Sequence, residues 1–409
     1  MCIYRWLFLD LNAYFASVEQ QENPALRGKP VGVVPVLADS SVLIAASYEA
    51  KRFGVNTLTR VGDAKRMCPG IIIIKAGHSN YVDYHNRIVQ AVETVLPVDK
   101  VLSIDEMRVR LLASEAEPDK AREIALRIKA AIRERVGETL SCSIGVSSNP
   151  FLAKIGTEIE KPDGLVLLPP EELESRIGDW RLSQLPGINR RMSVRLNLSG
   201  IYTIPQLLAA SERDLRIAFG SVIGARWWHL LRGADLPELE TKRRSMSHEH
   251  VLPPAFRTKQ GSYEVMLRLV EKISARLRGD ASSARGISFH VRSQTEHWES
   301  QIRMAPTHDT LKMIEILRER WHQNQIAEPN KVGVVLYDLM YDNQTTLSLF
   351  EQDNSGERLS LAVDKMNMKY GKHRVLPAGL VKAKETASEK IAFQKTSLFS
   401  EGLGDHAAA

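Results

Sequence analysis

The chain opens on an apolar run, Tyr4–Leu9, that ends against an acidic residue, Asp10. From there to about Leu165, strand-like runs alternate with stretches of helical period. Val31–Val36, Ile71–Lys75 and Val101–Leu111 read as further strands, and Tyr14–Gln21, Tyr81–Val95 and Pro118–Val136 carry the spacing of amphipathic helices. That mixture predicts an α/β or α+β unit. Around Val166–Glu174 the pattern changes to short helices punctuated by turns at Pro186–Gly187, Gly200, Gly220, Gly224 and Gly233, which predicts a small helical domain. After Glu238 comes a charged connector, ETKRRSMSH. Beyond it strand and helix alternate again: Ser247–Leu252, a helix over Thr258–Arg278, Ser288–Ser293, a helix over Thr310–Gln323, and Val332–Met340. This predicts a second, smaller α+β unit on a tether. From about Asp353 the periodicity fades into polar sequence, expected to be a mostly extended tail. No internal repeat is visible.

Composition agrees with several globular domains. The 409 residues are 44% hydrophobic and 25% charged, well away from the balance of a disordered chain. No apolar run approaches the length of a membrane span, and MCIYRWLFLD runs straight into Asp10, so it reads as a strand and not a signal peptide. A cytoplasmic protein is expected. Cys2, Cys68 and Cys142 lie far apart and no histidine pair has metal-ligand spacing, which argues against a disulfide framework or a zinc motif. The net charge of +6 gains meaning from its placement, because Arg181–His250 holds eleven Lys and Arg against six Asp and Glu. A basic lobe on a nearly neutral body suits a polyanionic partner, although a solvated basic face has the same look.

The carboxylates carry the candidate chemistry. Asp10 closes one apolar strand and Asp105–Glu106 sit inside another apolar stretch, VLSIDEMRVRL. A carboxylate there costs desolvation unless a cation compensates. Acidic groups brought to one sheet edge can hold two divalent cations that clamp the attacking and leaving oxygens of a phosphoryl transfer. An Asp after a strand is also an ordinary turn or cap residue, and an Asp–Glu pair is commonly surface. Spacing alone does not decide. Neighbouring residues of a strand face opposite ways, so Asp105 and Glu106 can share a site only if the strand kinks or ends between them.

Five blocks, FLDLNAYFASVE, SYEAKRFGV, LSIDEM, SIGVSSNPFLAKIGTEIEKPDG and LPGINRRMSVRLNLSGI, occur in the order and spacing of the Y-family DNA polymerases, which the chain resembles over roughly its first 240 residues. The resemblance implies an α+β multidomain, right-hand polymerase: palm over 1–11 and 77–166, fingers over 12–76, a helical thumb with a helix–hairpin–helix over 167–238, a tethered little finger over 239–350 and a flexible tail over 351–409. It implies low-fidelity, template-directed translesion synthesis on primer–template DNA with dNTP. Two Mg²⁺ ions, or Mn²⁺ in their place, would be held by Asp10, Asp105, Glu106 and the carbonyl of Leu11. Asp10 and Asp105 would bridge both ions, and Glu106 would hold the one that activates the primer 3′-hydroxyl.

In the same resemblance Phe15 is the steric gate against a ribose 2′-hydroxyl, with Tyr14 beside it, and Tyr48, Lys51, Arg52 and Lys161 meet the nucleotide phosphates. Lys51 stands where many members carry arginine. Asn12 stands where many carry a second aspartate, and with Ala13 it looks closer to the UmuC branch, leaving the choice between DinB and UmuC open. Leu185–Asn189 followed by Arg190 and Arg191 resembles a helix–hairpin–helix whose turn aims N–H groups at a DNA phosphate. Gly187 makes the turn and Asn189 replaces a second glycine, a residue type that tolerates the left-handed conformation. Arg243, Arg244 and Arg292 are the DNA contacts expected in the little finger. Two segments, Thr346–Phe350 and Gln394–Phe399, resemble sliding-clamp peptides; the second keeps the glutamine, which makes Gln394, Ser397, Leu398 and Phe399 the preferred set. An accessory subunit or recombinase filament stays open as a partner, and no membrane partner is expected. A catalytically inactive adaptor would not require all three carboxylates. A two-metal nuclease would have no use for Phe15, Tyr48, Lys51 and Lys161 together.

Overall fold

A computed structural model of the chain describes residues 4–239, 243–341, 355–371, 374–378, 381 and 386. It divides into two units, the first running through Glu238 and the second from Leu239 to Lys390. The first unit begins β1 (Trp6–Leu11), α1 (Tyr14–Glu22), β2 (Val31–Val34), β3 (Ala45–Ala46), α2 (Tyr48–Lys51), α3 (Val61–Met67) and β4 (Ile72–Lys75). It continues α4 (His78–Glu93), β5 (Val98–Val101), β6 (Glu106–Arg110), α5 (Pro118–Arg135), β7 (Cys142–Ser147), α6 (Pro150–Ile159) and β8 (Leu165–Leu167). One sheet has the order β5-β6-β1-β7-β8, with β1 antiparallel to both neighbours; a small sheet has the order β3-β2-β4.

The central strand explains the layering. Along β1 the side chains alternate, so Leu7, Leu9 and Leu11 enter the core built with α4 and α5, while Trp6 and Phe8 pack with Ala153 of α6 on the other face. Helix α6 lies unusually close to the sheet because two glycines meet there. A Cβ on Gly145 would overlap the carbonyl oxygen of Ala153, and Gly156 sits against the Cα of Gly145. Asn149 caps α6 by accepting from the Leu152 N–H, and its amide donates to the carbonyls of Leu230 and Ala234. Short helices follow: α7 (Leu173–Ile177), α8 (Arg190–Leu198), α9 (Ile204–Ala209), α10 (Glu212–Phe219) and α11 (Ile223–Leu231), packed around Leu185, Leu196, Leu215 and Trp227.

The second unit contains β9 (Ser245–Val251), α12 (Lys259–Gly279), β10 (Ser282–Arg292), β11 (His297–Thr307), α13 (Thr310–Trp321), β12 (Lys331–Tyr341) and α14 (Ser355–Tyr370). Its sheet has the order β11-β10-β12-β9 and is antiparallel throughout. Phe289, Val291, Val334 and Leu336 face α12 and α13.

Two expectations change and one strand was not foreseen. Val101–Leu111 is not one strand: β5 ends at Val101, the chain turns over Leu102–Asp105, and β6 starts at Glu106. Strand β11 has no run of apolar residues to announce it, since HWESQIRMAPT alternates exposed with half-buried positions. It is an edge strand, where a ladder tolerates polar residues and Pro306. Ser355–Tyr370, expected to be extended tail, is helix α14, held to the second unit by a two-bond pairing of Arg278 with Asp364 (2.5 and 2.9 Å). Cys68 and Cys142 are free and buried, and among the described residues no helix is long and apolar enough to cross a membrane.

Candidate active site

Pairing in the five-stranded sheet sets Asp10 directly opposite Glu106 on one side and Ser143 on the other. Partners across an antiparallel pair project from the same face, so two carboxylates far apart in the sequence meet on the face covered by α6. Asp105 joins them from the turn before β6. The turn is fastened by the N–H groups of Leu102 and Ser103 donating to the Glu106 carbonyl (2.9 and 3.2 Å), and by the Leu11 N–H donating to the Asp105 carbonyl (2.9 Å). The break in the strand is what lets consecutive acidic residues serve one site. The Asp105 carboxylate accepts from the Ser103 hydroxyl at 2.5 Å.

Two lysines of the same segment complete the cluster. Lys154, on α6, places its ammonium against Asp10, 2.8 Å from Glu106 and 3.0 Å from Glu158. Lys161, just past the helix, stands 2.9 Å from Asp10 and 2.7 Å from Glu158. Burial alone would raise the Asp10 carboxyl, but the positive charges of Lys154 and Lys161 more than offset it and hold Asp10 below its usual range. Burial raises Glu106 despite Lys154, and burial also raises Asp105, with the charge of Asp10 adding to it. On Lys154 burial acts downward and is overcome by Asp10, Glu106 and Glu158, so the ammonium stays charged. Lys154 and Glu158 were not among the residues the sequence singled out; their signal is the one-turn spacing of Lys154 and Glu158 along an otherwise apolar helix, with Lys161 just beyond it.

As the side chains stand, no group of three His, Cys, Asp or Glu among the described residues is drawn tightly enough to hold a metal ion. The donor set nevertheless fits a hard divalent cation: oxygen ligands only, two of them facing each other across a strand pair, with a cation, the Lys154 ammonium, already seated between them. Beside it a cleft of about 620 Å³ is lined by Glu106, Lys154, Glu158 and the loop from Ser183 to Asn189.

Residues 9–158 match the model of the impB/mucB/samB family and residues 243–349 match that of its C-terminal domain. The DNA polymerase IV of Pelotomaculum thermopropionicum is 31% identical over 396 residues, an alignment covering 92% of this chain and 96% of that protein. The DNA polymerase IV of Moorella thermoacetica is 30% identical over 377 residues, covering 89% and 93%. The chain belongs to the Y-family DNA polymerases. Among solved structures, a Y-family DNA polymerase chimera of Dbh and Dpo4 superposes with a TM-score of 0.67 at 22% identity, covering 83% of this chain and all of that one. An insertion ternary complex of Dbh DNA polymerase gives 0.53 at the same identity. The α+β multidomain fold is that of the family, and the enzyme class is DNA-directed DNA polymerase.

In this Y-family polymerase the β1–α1 turn passes through Ala13, a non-glycine residue held in the left-handed region (φ 47°), and leads into α1, where Phe15 is buried in the core. The Phe15 ring packs at a tilt against Tyr81, with ring centres 4.7 Å apart. Tyr14, expected beside the nucleotide, lies with Phe15 in the core: it is 2% exposed and its hydroxyl donates to the Tyr81 carbonyl at 2.6 Å. Asn12 is buried and ties three segments together. Its side-chain oxygen accepts from the Asp163 N–H (2.8 Å) and its amide donates to the Ser143 hydroxyl (3.0 Å). An aspartate there could not donate, which gives the departure from the family pattern a local reason.

Tyr48 and Lys51, on α2, reach the same cluster. The Tyr48 hydroxyl is pushed up to about 12 by burial and then by the negative charges of Asp10 and Glu158, and it shares a hydrogen bond with Asn12. Burial lowers Lys51, with the charge of Lys161 adding to it, and its ammonium lies 4.1 Å from the Tyr48 ring centre. Arg52 is exposed at the end of α2. In the helical segment Gly187 takes the left-handed turn (φ 92°) and packs under Trp227. Asn189 does not: it is extended (φ −83°, ψ 176°) and caps α8 by accepting from the Met192 N–H. The helix needs a side-chain acceptor there and no left-handed residue, so asparagine suits it better than the glycine it replaces. Arg190 and Arg191 are exposed. In the second unit Arg244 and Arg292 are exposed, whereas Arg243 is paired with Asp280 at 2.9 Å. Both clamp-like segments lie outside the described residues.

Proposed function

We propose that the protein performs low-fidelity, template-directed nucleotidyl transfer and bypasses damaged bases during DNA repair. The observation that carries this reading is the convergence of Asp10 and Glu106 across the β1–β6 pair, with Asp105 delivered to the same edge by the turn before β6. These carboxylates and the Leu11 carbonyl would hold two Mg²⁺ ions, with Mn²⁺ able to replace them. When bound, such ions neutralise developing charge on the transferring phosphoryl group and lower the pKa of the attacking hydroxyl.

The remaining work is positioning. Phe15 forms the floor under the sugar, with Tyr14 and Tyr81 bracing it from the core, so a 2′-hydroxyl meets an aromatic ring that cannot retreat. Tyr48, Lys51, Arg52 and Lys161 supply donors and positive charge for the triphosphate. The loop at Gly187–Asn189 and Arg190–Arg191 grips a primer–template phosphate, and the cleft between that loop and Glu106 is the path of the primer end. Arg244 and Arg292 contact the duplex from the second unit; Arg243 contributes only by giving up Asp280. On this assignment residues 1–11 and 77–166 are palm, 12–76 fingers, 167–238 thumb and 239–350 little finger. A sliding clamp is engaged through Gln394–Phe399, and the enzyme works in the cytoplasm.

Primer extension on undamaged and abasic templates with Mg²⁺ and four dNTPs tests this. Native protein should extend both, and Asp105→Ala should extend neither, with a loss on the order of 10³ or more and nearly unchanged DNA binding. Extension by Asp105→Ala at the native rate would remove the carboxylate assignment.

A further inference from the structure

Helix α6 presents one charged stripe amid apolar residues. Leu152, Ala153 and Ile155 are buried, while Lys154 and Glu158, one turn apart, face the carboxylates. The Lys154 stem runs over the Phe8 ring, its ammonium 5.4 Å from the ring centre, and its head touches Asp10, Glu106 and Glu158 at once. Its side chain is 16% exposed, so little water screens these contacts. Gly145 and Gly156 fix the depth of the helix on the sheet, which fixes where the ammonium can go.

Two of the carboxylates that Lys154 holds, Asp10 and Glu106, are among those assigned above to the divalent cations, and this inference rests on that assignment. An ammonium in contact with the same carboxylates occupies lone pairs that an arriving metal ion would use and repels it, so each weakens the other's hold. We propose that Lys154 is a built-in competitor for the metal site: its ammonium holds Asp10 and Glu106 together until a divalent cation binds, and must then withdraw toward Glu158 and the adjoining cleft. The withdrawal stays local, since Glu158 is already a partner at 3.0 Å and lines the cleft with Lys154. The measured metal affinity is then the intrinsic affinity reduced by the cost of displacing the lysine.

The test is a Mn²⁺ titration of the full chain without DNA or nucleotide, followed by the loss of the free-ion EPR signal at fixed pH and ionic strength. Lys154→Gln should bind about tenfold tighter than native protein, and Lys154→Arg, which keeps the charge, no tighter than native. Equal or weaker binding by Lys154→Gln, or tightening by both variants, overturns the proposal. Asp105→Ala in the same titration separates the two readings. If it binds like native protein, the metal assignment fails and Lys154 with it; if it binds more weakly while Lys154→Gln does not tighten, only the lysine proposal fails. Lys154→Met, neutral and of similar length, replaces the glutamine variant should that one lose its fold by circular dichroism.

Discussion

The two units each build an antiparallel-rich sheet backed by two long helices, and they differ in what covers the other face. In the first unit α6 closes over Phe8 and Asp10, sealing carboxylates and lysines together. In the second unit no described helix packs over the side chains of Ser288, His290 and Tyr337. These polar groups lie along the sheet over glycines: His290 reaches across Gly333 to Glu249 (2.8 Å), and Tyr337 lies against Gly286. Glycine thus serves opposite ends. At Gly145 it admits a helix backbone, and at Gly333 it admits a flattened side chain. Burying charge suits chemistry, because fixed charges act strongly where water is excluded. In the second unit the polar groups shield one another instead, Ser288 and His290 being buried without a described helix over them.

The largest effect expected from this contrast is on stability. Gly145→Ala would drive a Cβ into the backbone of α6, which cannot yield, and should cost about 3 kcal/mol. Gly333→Ala meets the end of the His290 ring, which can swing away, and should cost about 1 kcal/mol or less. Urea denaturation followed by fluorescence measures both; equal losses would dissolve the distinction between the two glycines. Phe15→Ala should raise ribonucleotide incorporation on the order of a hundredfold, read as the ratio of rNTP to dNTP efficiency. An unchanged ratio would place the gate elsewhere.

Acid separates the units next. His248 of β9 faces α12, and burial first, then Lys272, Arg276, His250 and Arg268, lower it to about 4. The unfolded imidazole takes up its proton near 6.5. Stability of the second unit is therefore intact above about pH 6.5 and falls as pH drops toward 4, by about 2 kcal/mol. His248→Gln should flatten that slope in a melting-temperature series; a slope of native size in the variant would assign the effect to another group. Asp10 works at lower pH, since its depressed carboxyl contributes stability that is lost only as pH falls through its folded value. The smallest effect concerns DNA. Arg292→Gln should weaken binding modestly and reduce the slope of log Kd against log salt by about 1, whereas Arg243→Gln should change it less, because Arg243 is already paired with Asp280. Equal slopes for the two variants would put both arginines on the same footing.

Much of this was legible in the chain. Alternation along Tyr4–Asp10, the apolar period of Tyr81–Val95 and Pro118–Val136, and the linked blocks around Asp10, Asp105 and Glu106 located the first sheet, its backing helices and the acidic residues, because each is a local pattern. Less was legible where the decisive contact is distant. Strand β11 borrows its ladder from β10, and α14 borrows Asp364–Arg278, so neither announces itself in its own residues. Asn189 and Tyr14 went to caps and core for the same reason: the choice depended on Met192 and Tyr81.

The sequence by itself determined which residues carry charge, which stretches are apolar and therefore buried, and that Asp10, Asp105 and Glu106 lie in or beside apolar stretches. Only the tertiary structure decided that Asp10 faces Glu106, that the chain turns between Val101 and Glu106, and that Lys154 sits between the carboxylates. Burial is a property a residue type brings with it, whereas register, turn position and the depth at which a helix rests on a sheet are set by both partners at once.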